Sequence, residues 1–280
     1  MKKREAILFR AHRATPGAIA CFRRLFEETQ SDFDLWIVGR CHSPTDLQPY
    51  AYPRVKSYDE AVLSTLPYTH RARGEALTAV HGYNDLPVLQ FFREEPSYAR
   101  YWIIEYDVRY TGNWRWLLQD CGRSAAGLLG TTVMRWSDNP AWANWQGVST
   151  GPDPMPRTEW VKAFLPFAGV TSTLLAAIDA RYQRGWAGHY EASWPMAAVH
   201  AGLGVEDIGG SGPFVPPGRE RRHYWNTPLD PHLRPGSFVF RPTVVSGQSD
   251  QSWTGMDEAT LRWQRFHLGV AVRLVHPVKD

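Results

Sequence analysis

Two acids one residue apart, Glu105 and Asp107, close the segment Tyr101-Trp-Ile-Ile-Glu-Tyr-Asp107. The apolar run before them reads as a buried strand, and residues i and i+2 of an extended chain point to the same side. Two carboxylates on one side, where a strand leaves the core, offer the hard oxygen ligands that Mg²⁺ and Mn²⁺ accept. Their place matters as much as their chemistry, because open α/β sheets bind ligands just outside the carboxyl ends of their strands. Acid-x-acid spacing is common, however, and on its own the pair reads as a solvated strand end with Asp107 capping a turn. Other catalytic signatures are missing. The sequence has no Gly-x-x-x-x-Gly-Lys phosphate loop, no Gly-x-Gly-x-x-Gly after the first strand, no Gly-x-Ser-x-Gly elbow, and no CxxC or HExxH metal motif.

The elements that must position the two acids can be read from periodicity. Residues 5–10 form an apolar run expected to be a buried strand, and residues 11–16 a loop. Residues 17–29 have helical spacing, with Ile19, Phe22, Leu25 and Phe26 on one face and Thr15-Pro16 as cap and first turn. Residues 34–39 are a second buried run, which completes a βαβ unit and implies a parallel sheet. Further along, short helices are expected over 58–66 and 85–93 and from Trp114, and strands over 101–105 and 128–133. Residues 139–156, rich in Trp, Gly and Pro, read as a long loop, and such loops are often functional. An amphipathic helix is expected over 171–185, carrying Leu174, Leu175, Ile178 and Tyr182. The segment Gly188-His-Tyr-Glu-Ala-Ser-Trp-Pro195 then leads into a helix expected over 195–202. Residues 204–220 read as a mobile Gly/Pro-rich stretch, 237–240 as a short strand, and 256–275 as a helix start with a β-like tail. With no repeat, low-complexity tract or clean linker, a single α/β domain over residues 1–280 is the simplest organisation.

Composition narrows the function classes. At 280 residues, 43% hydrophobic and 21% charged, the chain is an ordinary globular one with room for a sizeable core. A formal net charge of +3 is too small to argue for nucleic acid or a membrane surface. The cysteines, Cys21, Cys41 and Cys121, are widely spaced and odd in number, as expected of reduced thiols in a cytoplasmic protein. The apolar run behind the basic N-terminus is too short for a signal peptide, and no stretch approaches a membrane span. Tryptophan, at 13 residues, is the outlier. Its flat faces suit stacking on sugars or bases, although core packing accounts for most such residues.

The order of these pieces resembles the nucleotide-diphospho-sugar transferase fold, called GT-A among glycosyltransferases. More closely, Tyr-Trp-Ile-Ile-Glu-Tyr-Asp-Val-Arg-Tyr-Thr-Gly (residues 101–112) and Gly-His-Tyr-Glu-Ala (residues 188–192) look like a group of glycosyltransferase-like proteins of bacteria and fungi. The close match covers about a tenth of the chain, and the order of elements covers most of it. The resemblance implies a GT-A-like, Rossmann-type, mostly parallel sheet flanked by helices. Residues 1–135 would form a nucleotide-binding half and residues 136–280 an acceptor-side half.

The resemblance also implies roles. Glu105 and Asp107 stand where the family has Asp-x-Asp. Asp107 would touch a Mn²⁺ or Mg²⁺ ion on the donor diphosphate, and Glu105, longer than the usual Asp, would lie near the ribose or the metal. Arg10, Ala11, His12 and Arg13 would lie near the nucleotide. Glu191 stands where inverting members place a general base. No family signature marks a third metal ligand, and His223 and His232 are candidates only by lying downstream, where many members place a histidine.

The expected activity is transfer of a sugar from a UDP- or GDP-type donor to a glycan or other hydroxyl acceptor, with metal and with inversion. The chemistry is consistent with these residue types. A cation or an arginine neutralises the leaving diphosphate, and a carboxylate takes the acceptor proton. Plainer readings compete at each position. Glu191 is also a helix N-terminal acid that complements the dipole, His189 a local hydrogen-bonding group, and Arg10 and His12 surface residues after a strand. Glu206 and Asp207 compete as base. Arg219, Arg221 and Arg222 read as a solvated charge run or as a lid that clamps the diphosphate. Trp142, Trp145, Trp186 and Trp194 are packing residues or an acceptor platform. Two other classes fit the same scaffold: a non-catalytic carbohydrate- or nucleotide-binding module, and a nucleotidyltransferase. The second usually has a Gly-rich loop after the first strand, where this chain has Arg-Ala-His-Arg-Ala-Thr.

Overall fold

A computed structural model describes residues 4–40, 44–68, 84–110, 112–224, 237–242 and 273–276. The first βαβ unit forms as its sequence dictates. β1 (Ala6–Arg10) is buried, and α1 (Pro16–Thr29) follows with Pro16 in its first turn. The Thr15 hydroxyl accepts the Ala18 N–H at 3.2 Å and so satisfies one of the helix's unpaired donors. Phe22 and Leu25 are buried, and Ile19 and Phe26 are half-buried against the same cluster. β2 (Asp34–Gly39) and the short edge strand β3 (Val55–Ser57) then extend the sheet in one direction.

The remaining elements build the other side. They are α2 (Glu60–Ser64), α3 (Leu86–Glu94), β4 (Arg100–Glu105), β5 (Arg109–Tyr110), α4 (Trp114–Cys121), β6 (Leu128–Arg135), β7 (Val161–Thr171), α5 (Ser172–Gln183), α6 (Tyr190–His200) and β8 (Val205–Asp207). Asp59, Asn113 and Thr171 cap α2, α4 and α5 through their side chains. β9 (Ser237–Pro242) and β10 (Arg273–His276) pair with β5 in a separate small sheet.

The main sheet has seven strands in the order β3-β2-β1-β4-β7-β6-β8. All ladders are parallel except those of β7, which is antiparallel to both β4 and β6. Alternate residues of the central strands feed two cores. Ala6, Leu8, Tyr101 and Ile103 join a cluster with α3, α5 and α6, while Ile7, Phe9, Trp102 and Ile104 join one with α1 and α4. Both faces of the sheet are therefore covered, as parallel strands require. The result is one α/β domain with a mostly parallel sheet between helices, a Rossmann-like architecture. Among the described residues no helix is long and apolar enough to cross a membrane.

Several elements differ from their sequence expectations: the stretch 204–220, read as mobile, begins with β8, which pairs with β6 in the main sheet, and the short strands β3 and β5 carry no sequence signal. β7 is an eleven-residue strand that periodicity does not reveal, because Pro166 and Gly169 interrupt it. Pro166 is tolerated because it lies past the last β4 pair, Ile104↔Phe167, and inside a register shift against β6. α6 begins at Tyr190, ahead of the expected start at Pro195, and carries that proline in its interior.

Gly169 is opposite Trp102 in the ladder, and an added Cβ would lie 2.6 Å from the indole. Trp102 is fully buried, and its Nε1–H donates to Glu5 at 2.8 Å. Gly169→Ala should therefore cost about 1–3 kcal/mol of stability through overpacking, read as a lower urea midpoint. An unchanged midpoint would show that the indole can move aside.

Candidate active site

β4 ends at Glu105, and there the chain turns. The Val108 N–H donates to the Glu105 carbonyl at 2.9 Å, which makes Tyr106 and Asp107 the central residues of a β-turn. Strand alternation therefore does not set the relation between the two acids. Glu105 keeps the alternation of Tyr101 and Ile103 and faces the α6 side, half-buried, whereas Asp107 is buried within the turn.

The loop after β1 packs against this turn. Arg10 and Glu105 are register partners, and the Tyr106 N–H donates to the Arg10 carbonyl at 2.8 Å, one step beyond the ladder. The His12 ring, in an exposed residue, meets Tyr106 edge-on at 4.8 Å. The Tyr106 phenol is pushed up by burial and by the charge of Asp107, while Arg13 works against both. Arg10 is also a clamp: Nε donates to Val38 O at 3.1 Å, and Nη1 donates to Asn84 O. It thereby ties the entry of α3 to the sheet edge.

Arg10, Asp85, Glu105, Leu165, Tyr190 and Trp194 line a small pocket. The Tyr190 hydroxyl reaches Glu105 Oε1 at 3.5 Å. Tyr190 is the first residue of α6, and Gly188 sets its approach. Gly188 has φ +113°, and an added Cβ would lie 2.9 Å from Gly147 O. His189 then caps the helix, with Nδ1 accepting the Glu191 N–H at 3.3 Å. Pro195 offers no donor to the Glu191 carbonyl, so the helix is weakened where Glu191 sits.

Glu191 is buried, with Oε2 at 3.7 Å from His189 Nδ1. On the facing strand, Lys162 is buried with its ammonium 5.2 Å from the centre of the Trp142 ring. Burial pulls the Lys162 ammonium down, and the charge of Glu191 opposes that shift. Trp142 also meets His189 edge-on at 5.6 Å, which closes a group of four side chains.

Sequence reasoning missed two residues here. Asp85, expected only as a helix start, makes no capping bond; it is buried, and Oδ2 accepts from Tyr182 at 2.8 Å and Trp194 at 3.1 Å. Lys162 had no signal except a lone charge within an apolar strand.

The other candidates have structural partners. Trp145, Trp186 and Trp194 are buried, with their indole N–H groups bonded to Asn139 O, Asp153 and Asp85, while Trp142 is half-buried. Glu206 accepts from Ser124 at 2.7 Å. Asp207 is buried, accepts the N–H groups of Gly209, Gly210 and Val133, and also accepts from Tyr224. Burial raises its pKa against those bonds, and it anchors the loop that follows. Arg219, Arg222 and His223 gather on Asp120 at the end of α4, on the sheet face opposite the pocket. His232 lies outside the described residues, as does Cys41.

Among the described residues no group of three or more His, Cys, Asp or Glu side chains is placed to hold a metal ion. A site in which one or two carboxylates share a cation with substrate phosphates needs no such cluster. Glu105 and Asp107 are the residues that would hold it.

No protein-family model matches the chain, and no curated protein does. Solved structures that overlay on it include the galactosyltransferase LgtC in complex with donor and acceptor sugar analogues. That overlay has a TM-score of 0.44 and 10% identity, over 97% of this chain and 86% of that one. A glucose-1-phosphate thymidylyltransferase of Bacillus anthracis, in complex with sucrose, overlays at TM-score 0.33 and 12% identity, over 64% and 78%. Both scores lie below 0.5, so the fold assignment stands on the sheet order and the helices on its two faces.

The cluster at Asp120 yields a pH test. Burial disfavours the Asp120 charge, but the His223 hydrogen bond and the Arg222 and Arg219 charges outweigh it and hold the carboxyl at about 2. A depressed carboxyl stabilises the fold above its unfolded value of about 3.9, and that stability is lost as pH falls through the folded value. Wild type should be more stable than Asp120→Asn at pH 5, and the gap in Tm should close between about pH 4 and pH 2. A gap independent of pH would mean that Asp120 acts through shape alone.

Proposed function

We infer that the protein is a glycosyltransferase that uses a nucleotide-diphosphate sugar, bound where the loops after β1 and β4 meet. The observation that carries this is where the small pocket lies. Arg10 and Glu105 form its floor at the carboxyl edge, between β1 and β4, where the strand order reverses and open α/β sheets bind ligands. The start of α6, with Tyr190 and Glu191, stands beside it. The nucleotide would lie along Arg10, His12 and Arg13 in the half formed by residues 1–135, and the acceptor on the side formed by residues 136–280. Buried free thiols at Cys21 and Cys121 are in keeping with a cytoplasmic setting.

In this proposal Glu191 accepts the proton of the acceptor hydroxyl. The hydroxyl oxygen forms the new bond to the anomeric carbon, and the carbon–oxygen bond to the diphosphate breaks with its electron pair on the leaving group. Attack from the side opposite the diphosphate gives inversion. Glu105 and Asp107 would hold Mg²⁺ or Mn²⁺, and the cation would supply Lewis-acid neutralisation of the leaving group. Tyr190 orients Glu105 through its hydroxyl.

Two outcomes test the proposal. A UDP or GDP sugar should raise Tm, more with Mn²⁺ than without, and Asp107→Ala should lose the metal-dependent part. No shift with any sugar nucleotide would refute the assignment. Glu191→Gln should keep the donor-induced shift and lose transfer by about 10²–10⁴-fold. Donor binding without turnover in the wild type would identify a binding module on the same scaffold.

A further inference from the structure

We propose that Arg109 is the positioning residue of the acid turn, and that it fastens Asp107 to α1 so that the turn and the loop after β1 are held as one unit. The consequence for a cation rests on the glycosyltransferase reading above, while the positioning itself does not.

Arg109 opens β5 and is only 7% exposed, although its guanidinium keeps its charge at any ordinary pH. Its side chain folds back over the turn. Nη1 donates to the Tyr106 carbonyl at 2.8 Å and to the Val108 carbonyl at 3.2 Å. These carbonyls flank Asp107, and the turn's own bond, from the Val108 N–H to the Glu105 carbonyl, uses neither. Three successive peptide units are thus held. Arg109 takes the one before Asp107 and the one after Val108, and the turn bond takes the one between. Bonds from an ionised donor are roughly twice as strong as neutral ones.

The other end of the guanidinium lies against α1. A Cβ added at Gly17, the second residue of that helix, would lie 3.2 Å from Nη2, so a residue without a side chain leaves room there. The same helix face continues the fastening. Gly17, Cys21, Arg24 and Glu28 are spaced i, i+4, i+7 and i+11, along one side of a helix. Cys21 Sγ donates to the Val108 carbonyl at 3.3 Å, and the two Nη atoms of Arg24 donate to the Tyr110 and Gly112 carbonyls. Glu28 accepts the Trp114 N–H at 2.6 Å and the Arg24 Nε–H at 2.9 Å. Alternate carbonyls, at 106, 108, 110 and 112, are therefore all met by Arg109 or by α1.

α1 starts directly after the loop that follows β1, so a fixed α1 fixes that loop's far end against the acid turn. Arg109 acts through the backbone of the turn and sets the direction in which Asp107 leaves it. Supports of this kind decide how well a first ligand holds its ion.

The test uses the full chain and amide hydrogen exchange read residue by residue. In Arg109→Met the Tyr106 and Val108 amides should exchange about tenfold faster or more, while the amides of β2 stay at wild type. Arg109→Lys keeps a charged donor on a shorter stem and should restore part of the protection. Gly17→Val keeps Arg109 but crowds its Nη2, and should loosen the same two amides even if Arg109→Met does not fold. Unchanged exchange at these amides, or a rise shared equally by β2, overturns the positioning. In the sugar-nucleotide titration, the Mn²⁺ concentration that gives half of the metal-dependent Tm shift should rise about 10–100-fold in Arg109→Met, with the metal-free shift unchanged. Faster exchange with the same Mn²⁺ requirement would keep the positioning and remove Asp107 as the metal residue. A wild type that responds to no sugar nucleotide would refute the glycosyltransferase reading and leave the exchange result standing.

Discussion

β1 and β4 run side by side from Ala6↔Tyr101 to Arg10↔Glu105, and the chain uses that pairing as a divide. β2 and β3 build outward from β1, while β7, β6 and β8 build outward from β4. The loops after β1 and β4 leave the sheet together at the point where the strand order reverses, and His12 packs on Tyr106 there. The Tyr106 N–H to Arg10 carbonyl bond carries the pairing one residue past the strands, so the two loops are fixed to each other. Arg10 then reaches across to Val38 and Asn84 and fixes the entry of α3 to the same edge. Rigid support of this kind is what a binding site on loops needs if its side chains are to keep their geometry.

Legibility in the sequence followed the range of the interactions. α1 was readable because its signals are local: Thr15-Pro16 at the start, and Phe22 and Leu25 at helical spacing. β1, β2 and β4 were readable as apolar runs because both of their faces are buried. β7 was not, because Pro166 and Gly169 are strand-breaking in isolation and become acceptable only through a register shift and the Trp102 ring, neither of which is local. The start of α6 was misplaced for the opposite reason. Proline is a good first-turn signal, but His189 supplies a less common cap five residues earlier.

The site residues divide in the same way. Glu105 was recognisable because it continues an apolar run, and it does line the pocket. The same-side relation to Asp107 did not carry over, since a two-residue alternation assumes an extended chain and the chain turns there. Asp85 and Lys162 left almost no trace. What distinguishes them is burial among partners that come from distant elements: Tyr182 and Trp194 for one, Trp142 for the other. Arg219, Arg222 and His223 show the converse, a conspicuous basic run whose charge is absorbed by Asp120 on the far face.

The reversed strand explains why the second half of the chain returns to the pocket. Were β7 parallel to its neighbours, it would begin at the amino edge, and the 136–160 connection would lie far from Glu105. Because it is antiparallel, β6 ends and β7 begins at the same carboxyl edge, so the connection that holds Trp142 stays there and Lys162 enters near it. β7 then ends at the amino edge, and α5 starts from there, capped by Thr171. α5 returns the chain to the carboxyl edge, so α6 begins at that edge and runs away from it. The positive end of α6, with His189 and Glu191 in its first turn, is thereby delivered beside Glu105. A single strand reversal thus gathers an aromatic wall, a buried cation and a second acid around a pair of loops that the parallel half had already set at that edge.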